Sequence, residues 1–317
     1  MPLVDMPLAK LLSYSGINPK PADHEQFWNE SLAEMEAVAI APILTPKNMS
    51  VDFAECFELR FKGTRGGEVY AKYIRPKGSK KVPCILQFHG YSMHSGDWMH
   101  KLNWVARGFA VAAMDCRGQG GESLDHGNYQ GMTLKGHIVR GLDGPPEEMY
   151  FRNVYLDTAL LAKVVSSFDE IDGTRLGAMG GSQGGALTLA CAALAPIKKA
   201  APVYPFLCDY QRVWEMDLAK DAYDELKYYF RQRDPRHERE AEIFEKLGYI
   251  DLQHLVHRIK GEVKLFGGLM DTITPPSTYF AAYNKMTCKK SHVMYPDFGH
   301  EGLPGVDDLI WEFFSDL

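Results

Sequence analysis

Segments that mark a membrane, secreted or nucleic-acid-binding protein are missing from this sequence of 317 residues. Its longest apolar run, residues 186–195, is about half as long as the ~20 residues that a transmembrane helix needs. The first residues contain no basic stretch followed by an apolar one, so no secretory signal is predicted. A formal net charge of −6 argues against nucleic acid or an anionic membrane as a partner, because either would attract a basic surface. We therefore expect a soluble, cytoplasmic protein.

Cysteines are few, and they are scattered along the chain without a C-x-x-C pair or the ligand spacing of a zinc site. A cysteine nucleophile has no supporting local motif. We expect reduced, mostly buried thiols, and a protein that needs no metal and no organic cofactor. The six positions are Cys56, Cys84, Cys116, Cys191, Cys208 and Cys288.

Strand and helix patterns alternate through most of the chain. Residues 56–61 and 69–74 alternate like strands on either side of a glycine-rich turn, which predicts an antiparallel hairpin. After it, short apolar strands alternate with amphipathic helices such as 153–168. This order predicts an α/β protein whose central sheet is mostly parallel, with antiparallel N-terminal edge strands and helices on both faces.

Residues 1–317 are expected to form a single domain with two additions. Residues 1 to about 50 read as an N-terminal extension with helical stretches. Residues from about 206 to 258 are charged and aromatic, and they interrupt the alternation of strands and helices. They predict a helical insertion that either covers the active site as a cap or serves an interface.

The strongest chemical signal is the segment 180–185, Gly-Gly-Ser-Gln-Gly-Gly, which contains a G-x-S-x-G motif. It follows an apolar strand and precedes an apolar helix, the context in which a sharp turn lifts a serine oxygen clear of the sheet. A phosphate cradle at a helix N-terminus is the alternative, but no P-loop lysine follows. The motif predicts Ser182 as the nucleophile of an α/β-hydrolase fold.

A serine hydroxyl needs a base to take its proton, and in this fold the acid and the histidine follow the serine along the chain. His300 lies in a loop after a late strand, where a base is expected, whereas His292 begins that strand. Asp271 follows the preceding strand, while Asp297 is so close to His300 that it is better explained as a loop-capping carboxylate. The prediction is a triad in which Asp271 holds the imidazole tautomer of His300.

Two backbone amides are expected to stabilise the oxyanion of the tetrahedral intermediate. One belongs to Gln183, directly after the nucleophile, and the other to Tyr91, in the loop after an early strand. The loop Arg117-Gly118-Gln119-Gly120 follows the next strand. Its two polar side chains are predicted to brace neighbouring loops by hydrogen bonds, with contact to substrate as the alternative.

Three segments in this order resemble carbohydrate esterase family 7, the acetyl xylan esterases and cephalosporin C deacetylases. They are R-G-Q-G at 117–120, G-G-S-Q-G-G at 180–185 and the pair His300-Glu301. The similarity extends over nearly the whole chain and includes residues 150–157 and 205–209. It implies the same triad and oxyanion donors: Ser182, Asp271, His300, Tyr91 and Gln183.

The resemblance also implies a substrate and an assembly. Its expected activity is deacetylation of acetylated xylo-oligosaccharides and of cephalosporins, by a homohexamer that encloses its active sites. Phe206 is implied to line the acyl pocket, where Tyr91 also contacts substrate. The stretch 120–123 departs from the pattern, which leaves the alcohol specificity open. A general carboxylesterase or a peptidase on the same fold is the alternative, while an intact triad argues against a catalytically inactive binding protein.

Overall fold

A computed structural model describes residues 4–78, 80–126, 135–218 and 220–317. Within these ranges nine strands form one sheet. The strands are β1 (Ile43–Lys47), β2 (Ala54–Lys62), β3 (Glu68–Pro76), β4 (Val82–Phe88), β5 (Ala110–Met114), β6 (Ile171–Gly181), β7 (Lys199–Val203), β8 (Glu262–Gly268) and β9 (Lys290–Tyr295). Their spatial order is β1-β2-β3-β5-β4-β6-β7-β8-β9.

The sheet is antiparallel at one end and parallel at the other. Pairing is antiparallel from β1 through β2 and β3 to β5, and parallel from β5 to β9. The predicted hairpin and the mostly parallel sheet are therefore confirmed. Strand β1 was not predicted, since residues 1–50 were expected to be helical. It is a short edge strand that contains Pro46, and an edge position tolerates a residue that cannot donate to the ladder.

Helices cover both faces of the sheet, as predicted. They are α1 (Leu8–Leu11), α2 (His24–Glu36), α3 (Leu102–Ala106), α4 (Tyr150–Ser166), α5 (Gln183–Leu194), α6 (Tyr210–Glu215), α7 (Asp224–Arg233), α8 (Glu240–Leu247), α9 (Pro276–Lys285) and α10 (Val306–Phe313). Consecutive strand residues point to opposite faces, so Ile85 joins the apolar cluster with α3 and α10, and Leu86 joins the cluster with α4 and α5. Strands buried on both faces explain the continuous apolar runs in the sequence.

The N-terminal extension packs against the insertion at residues 206–258, which contains the helices α6, α7 and α8. Asn18 donates its side-chain amide to the carbonyl of Phe244 at 3.1 Å. Trp28 is fully buried and donates its indole N–H to the carbonyl of Tyr249 at 2.9 Å. These two segments thus share one apolar cluster with α4 and α5. Among the helices in the described ranges, none combines the length and apolarity that crossing a bilayer requires.

Candidate active site

The predicted site residues follow four parallel strands, each directly beyond the carboxyl end. Tyr91 follows β4, Ser182 follows β6, Asp271 follows β8 and His300 follows β9. Parallel strands bring their carboxyl ends to one edge of a sheet, which is where α/β proteins form ligand sites. The fold therefore brings together residues that are far apart in the sequence.

Ser182 sits on a sharp turn between β6 and α5. Its backbone has φ 58° and ψ −119°, a conformation that a residue with a side chain rarely adopts. The turn is held on both sides, because the Ser182 amide donates to Val203 O and the Ser182 carbonyl accepts from Phe206 N, both at 3.0 Å. This conformation at the start of a helix is that of the predicted nucleophile elbow.

The two outer glycines of the motif are required by close packing. A Cβ atom on Gly180 would lie 2.5 Å from the carbonyl oxygen of Phe88, and one on Gly184 would lie 2.1 Å from the same oxygen. Both distances are far inside van der Waals contact, and the atom approached is rigid backbone. Small residues are therefore required at these positions, because the backbone at the end of β4 passes close to them.

Asp271 and His300 form a hydrogen-bonded pair, with 2.8 Å between Asp271 Oδ2 and His300 Nδ1. Asp271 is fully buried, and its Oδ1 accepts from the amides of Ile273 and Thr274, both at 2.8 Å. The Thr274 hydroxyl donates to Oδ2, also at 2.8 Å. A carboxylate fixed in this way orients the imidazole, so that Nδ1 carries the proton and Nε2 is the basic nitrogen.

Ser182 and His300 line one open pocket of about 430 Å³. The insertion contributes part of its wall, through Asp221 and Ala222, and Lys135 Nζ donates to the Asp221 carbonyl at 3.4 Å. The complete lining is Gly90, Tyr91, Ser92, Met93, Lys135, Ser182, Asp221, Ala222, Ile273 and His300. The candidate nucleophile and the candidate base therefore face the same space, which a small ester can enter.

Gln119 connects the loops that carry the two candidate oxyanion donors. Gln183 is the first residue of α5, and the first amides of a helix have no intrahelical acceptor. The side chain of Gln119 accepts from the amide of Ser92, next to Tyr91, at 2.9 Å. It also donates to the side-chain oxygen of Gln183 at 2.8 Å. The predicted bracing role of Gln119 is confirmed.

Arg117 also braces the fold and lies away from the pocket lining. Its side chain is 1% exposed and forms a two-pronged ion pair with Asp157 on α4, with N–O distances of 2.7 and 2.5 Å. A third donor reaches the carbonyl of Thr64 at 3.0 Å. Arg117 thus ties the turn of the β2–β3 hairpin to α4, as the bracing prediction stated.

The rival residues occupy different surroundings. His292 lies on β9 with its ring edge-on to Phe280 and Tyr283, at centroid distances of 5.7 and 5.5 Å, as an ordinary strand residue. Asp297 is exposed, and the carboxylate that contacts His300 is that of Asp271. This arrangement supports the choice made from the sequence in both cases.

Phe206 lies behind the pocket wall. It is 1% exposed, and its ring is edge-on to Tyr91 at 5.7 Å and to Tyr223 at 4.4 Å. Tyr91 itself lines the pocket, so Phe206 reaches the acyl group only through the ring in front of it. Its implied role in substrate binding stays a prediction.

Sequence reasoning missed Glu225, which accepts a hydrogen bond of 2.5 Å from the hydroxyl of Tyr91. The residue is 2% exposed, and burial raises the pKa of its carboxyl group to about 7. It lies among charged residues of the insertion, with Asp224 and Lys227 close by in the sequence. The available signal was Tyr229, four residues later on the same face of α7, which is also buried.

All six cysteines are free thiols, and five of them are buried. Burial raises the pKa of Cys191 to about 12, which suppresses the reactive thiolate. The expectation of reduced, mostly buried thiols is confirmed.

A family model described as acetyl xylan esterase (AXE1) matches residues 1–317. The chain belongs to the acetyl xylan esterase family. Acetyl xylan esterase 1 from a Thermoanaerobacterium species is 54% identical, with a TM-score of 0.96 over 98% of both chains. An acetyl xylan esterase from a Paenibacillus species is 33% identical, with a TM-score of 0.92 over 98% of this chain and 99% of the other. The resemblance and the α/β-hydrolase fold inferred from the sequence are both confirmed.

The chain also matches a curated protein, but it covers a smaller share of that protein's length. The acetyl esterase Axe7A of Xylanibacter ruminicola is 24% identical over 284 residues, which is 87% of this chain and 62% of that protein. More distant likeness, such as a TM-score of 0.57 at 17% identity to an acylaminoacyl peptidase, extends to the fold alone. The family membership therefore rests on the whole-chain match and on the two acetyl xylan esterase structures.

Proposed function

We propose that this protein is a serine esterase that removes acetyl groups from acetylated xylo-oligosaccharides. The observation that carries the proposal is the pocket lined by Ser182 and His300, in which buried Asp271 holds the histidine by a 2.8 Å hydrogen bond. Membership of the acetyl xylan esterase family supports the choice of the acetyl group. The proposed catalytic triad is Ser182, His300 and Asp271.

The reaction follows from the positions of these groups. His300 Nε2 takes the proton of Ser182 Oγ as this oxygen attacks the acetyl carbonyl carbon. The amides of Tyr91 and Gln183 donate to the oxyanion, and Asp271 stabilises the imidazolium that has formed. Nε2 then gives its proton to the leaving alcohol oxygen, and an acetyl-enzyme remains. His300 Nε2 then takes a proton from a water molecule as the water oxygen attacks the acetyl carbon of this ester. The bond between that carbon and Ser182 Oγ breaks, Nε2 returns the proton to Oγ, and the acetyl group leaves as acetic acid, which ionises to acetate.

The acyl pocket is proposed to admit a methyl group and little more, since the Tyr91 ring forms its wall and buried Phe206 prevents that ring from moving back. Each methylene that does not fit forfeits roughly 0.8 kcal/mol of transfer energy. It also causes overpacking strain of about 1–3 kcal/mol. We expect kcat/KM for nitrophenyl butyrate to be at least about tenfold below that for the acetate, and the octanoate to be refused.

The test is a hydrolysis panel with acetyl, butyryl and octanoyl esters of nitrophenol, acetylated xylo-oligosaccharides, cephalosporin C and a peptide anilide. Equal kcat/KM for the three chain lengths would reject the small pocket. A dominant rate on the anilide would favour the peptidase alternative over the esterase. Repeating the chain-length series with Phe206→Ala tests whether Phe206 supports the wall of the pocket. An unchanged profile would reject this role of Phe206 and would leave the small-pocket proposal in place.

Cephalosporin deacetylation and assembly into a homohexamer are finer proposals that rest on the resemblance, and a cytoplasmic location is a proposal that rests on the sequence pattern alone. Residues 120–123 depart from the family pattern, so the alcohol specificity is open. The hydrolysis panel tests this specificity. Light scattering at micromolar concentration tests the assembly. A mass of six chains is expected, and a monomer would remove the proposal.

A further inference from the structure

A buried carboxylate in the insertion is linked to the pocket through the side chain of Tyr91. Glu225 lies in the first turn of α7, and its Oε1 accepts from the Tyr91 hydroxyl at 2.5 Å. Its Oε2 accepts from the backbone amides of Ile138 and Val139, at 2.7 and 3.2 Å. A single carboxyl group thus joins three segments that are distant in sequence: the loop after β4, residues 138–139 and the insertion.

The Tyr91 hydroxyl is held from a second side by His137. The His137 amide lies 3.2 Å and its Nδ1 lies 2.9 Å from the hydroxyl oxygen, and the two rings are edge-on at 5.1 Å. With Phe206 against its ring, Tyr91 is fixed by directional contacts at its tip and by packing along its side. Such a fully connected polar network allows the residue one position.

We propose that Glu225 is a positioning residue for ester hydrolysis, which holds Tyr91 so that its backbone amide points at the developing oxyanion. This inference rests on the proposed function of the same pocket. An oxyanion donor must lie about 2.7–3.1 Å from the charge that forms, and its loss costs about 10²–10³-fold in kcat. Glu225 controls the place of the donor and leaves the donor itself in the chain, so its effect is smaller.

The test uses Glu225→Gln, which keeps the shape and removes the charge, together with Tyr91→Phe, which keeps the backbone amide. For nitrophenyl acetate at pH 8.5, we expect each variant to lower kcat on the order of tenfold and to leave KM within about twofold, because the transition state loses more than the ground state. Titration of the reactive serine with phenylmethylsulfonyl fluoride normalises kcat to folded sites.

A double-mutant cycle separates positioning from general support of the fold. If Glu225 acts through the Tyr91 hydroxyl, the double variant is no slower than Tyr91→Phe alone, so the two effects do not multiply. Two independent structural defects would multiply to about a hundredfold. The effect of Glu225→Gln is measured once with Tyr91 present and once together with Tyr91→Phe, each time as the rate per titrated serine. The comparison therefore tests the proposal even if Glu225→Gln lowers the stability of the protein.

A pH series gives a second readout. Among the residues that the structure describes, the ionisable groups that face Glu225 are Tyr91, whose pKa burial raises, His137, whose pKa burial lowers to about 4, and the guanidinium of Arg140. Only Glu225, with its pKa near 7, changes charge between pH 5.5 and 8.5 in this group. The ratio of parent to Glu225→Gln kcat cancels every pH effect that both proteins share.

We expect this ratio to fall from about tenfold at pH 8.5 to below about threefold at pH 5.5, where the parent carboxyl is also neutral. A ratio near one at every pH, or multiplicative effects in the cycle, would overturn the positioning role. The proposed function fails separately, namely if the parent does not cleave acetyl esters or if Ser182→Ala still does.

Discussion

Asp271 at the pocket and the pair Asp209 and Asp251 are all fully buried carboxylates, and the protein uses them differently. At the pocket, Asp271 accepts from two amides and a hydroxyl of its own loop and from the ring of His300. Within the insertion, Asp209 accepts from the hydroxyl of Tyr14 and the amide of Asn18, both at 2.8 Å, and its own amide donates to Asp251 at 3.0 Å. Burial and saturation with donors are common to both sites.

The neighbours make the difference. Asp271 contacts a partly exposed histidine that lines a pocket, so its charge acts on a group that can meet substrate. Asp209 and Asp251 are linked to each other, because the backbone amide of Asp209 donates to the Asp251 carboxylate. Burial together with the charge of Asp209 raises the pKa of Asp251 to about 7. Their partners tie the first 18 residues to the insertion. A buried, hydrogen-bonded carboxylate is therefore a functional candidate only when a titratable group beside it faces a cavity.

At the pocket, we expect the largest loss of turnover from Ser182→Ala. Removing the nucleophile should lower turnover on the order of a millionfold, as is typical when a triad serine is lost. The change also removes only a hydroxyl, so the melting temperature should stay near that of the parent. Near-normal hydrolysis by the purified, folded variant would show that the nucleophile is a different residue.

A smaller loss is expected from Asp271→Asn. The asparagine keeps the size of the side chain but favours the wrong imidazole tautomer, which costs on the order of 10⁴-fold in kcat in a serine triad. Rates of nitrophenyl acetate hydrolysis per folded protein, with folding checked by circular dichroism, measure this loss. An effect below about tenfold would mean that Asp271 is a structural carboxylate like the other pair.

The matched control is Asp209→Asn, the same chemical change at the other site. Here the new NH₂ group faces donors such as the amide of Ile17, at 3.1 Å from Oδ1, so a buried charge-assisted network is broken. We expect a loss of about 2–3 kcal/mol in unfolding free energy, measured by urea denaturation. Activity per folded molecule should be unchanged. A selective loss of kcat in Asp209→Asn would erase the distinction between the two sites.

The sequence predicted the pocket residues because each depends on local pattern. The turn at Ser182 needs a strand, a glycine-flanked serine and a helix in immediate succession, and all three are visible in one segment. Asp271 and His300 each follow a recognisable strand, and a parallel sheet aligns the ends of its strands. The chain order of the α/β-hydrolase triad then selected these two from the other acids and histidines.

What the sequence did not predict depends on distant packing. Glu225 lies among charged residues and is buried because Tyr91 and the amides of residues 138–139 surround it, and local pattern carries no trace of them. Strand β1 was missed since it is five residues long, contains a proline and is mostly exposed, so it lacks the alternation of a half-buried strand. In both cases the structure depends on contacts with another segment of the chain, which the local sequence pattern does not contain.

Strand β1 has a consequence for the colloidal behaviour of the protein. It forms the outer edge of the sheet, and its brevity, its proline and Lys47 make it a poor template for another chain. Directly inside it lies β2, with nine residues and alternating buried side chains. Removal of residues 1–50 would uncover that long strand, and its bared amides and carbonyls would invite intermolecular pairing and aggregation. We therefore expect the five residues of β1 to protect the edge of β2 from pairing with strands of other molecules.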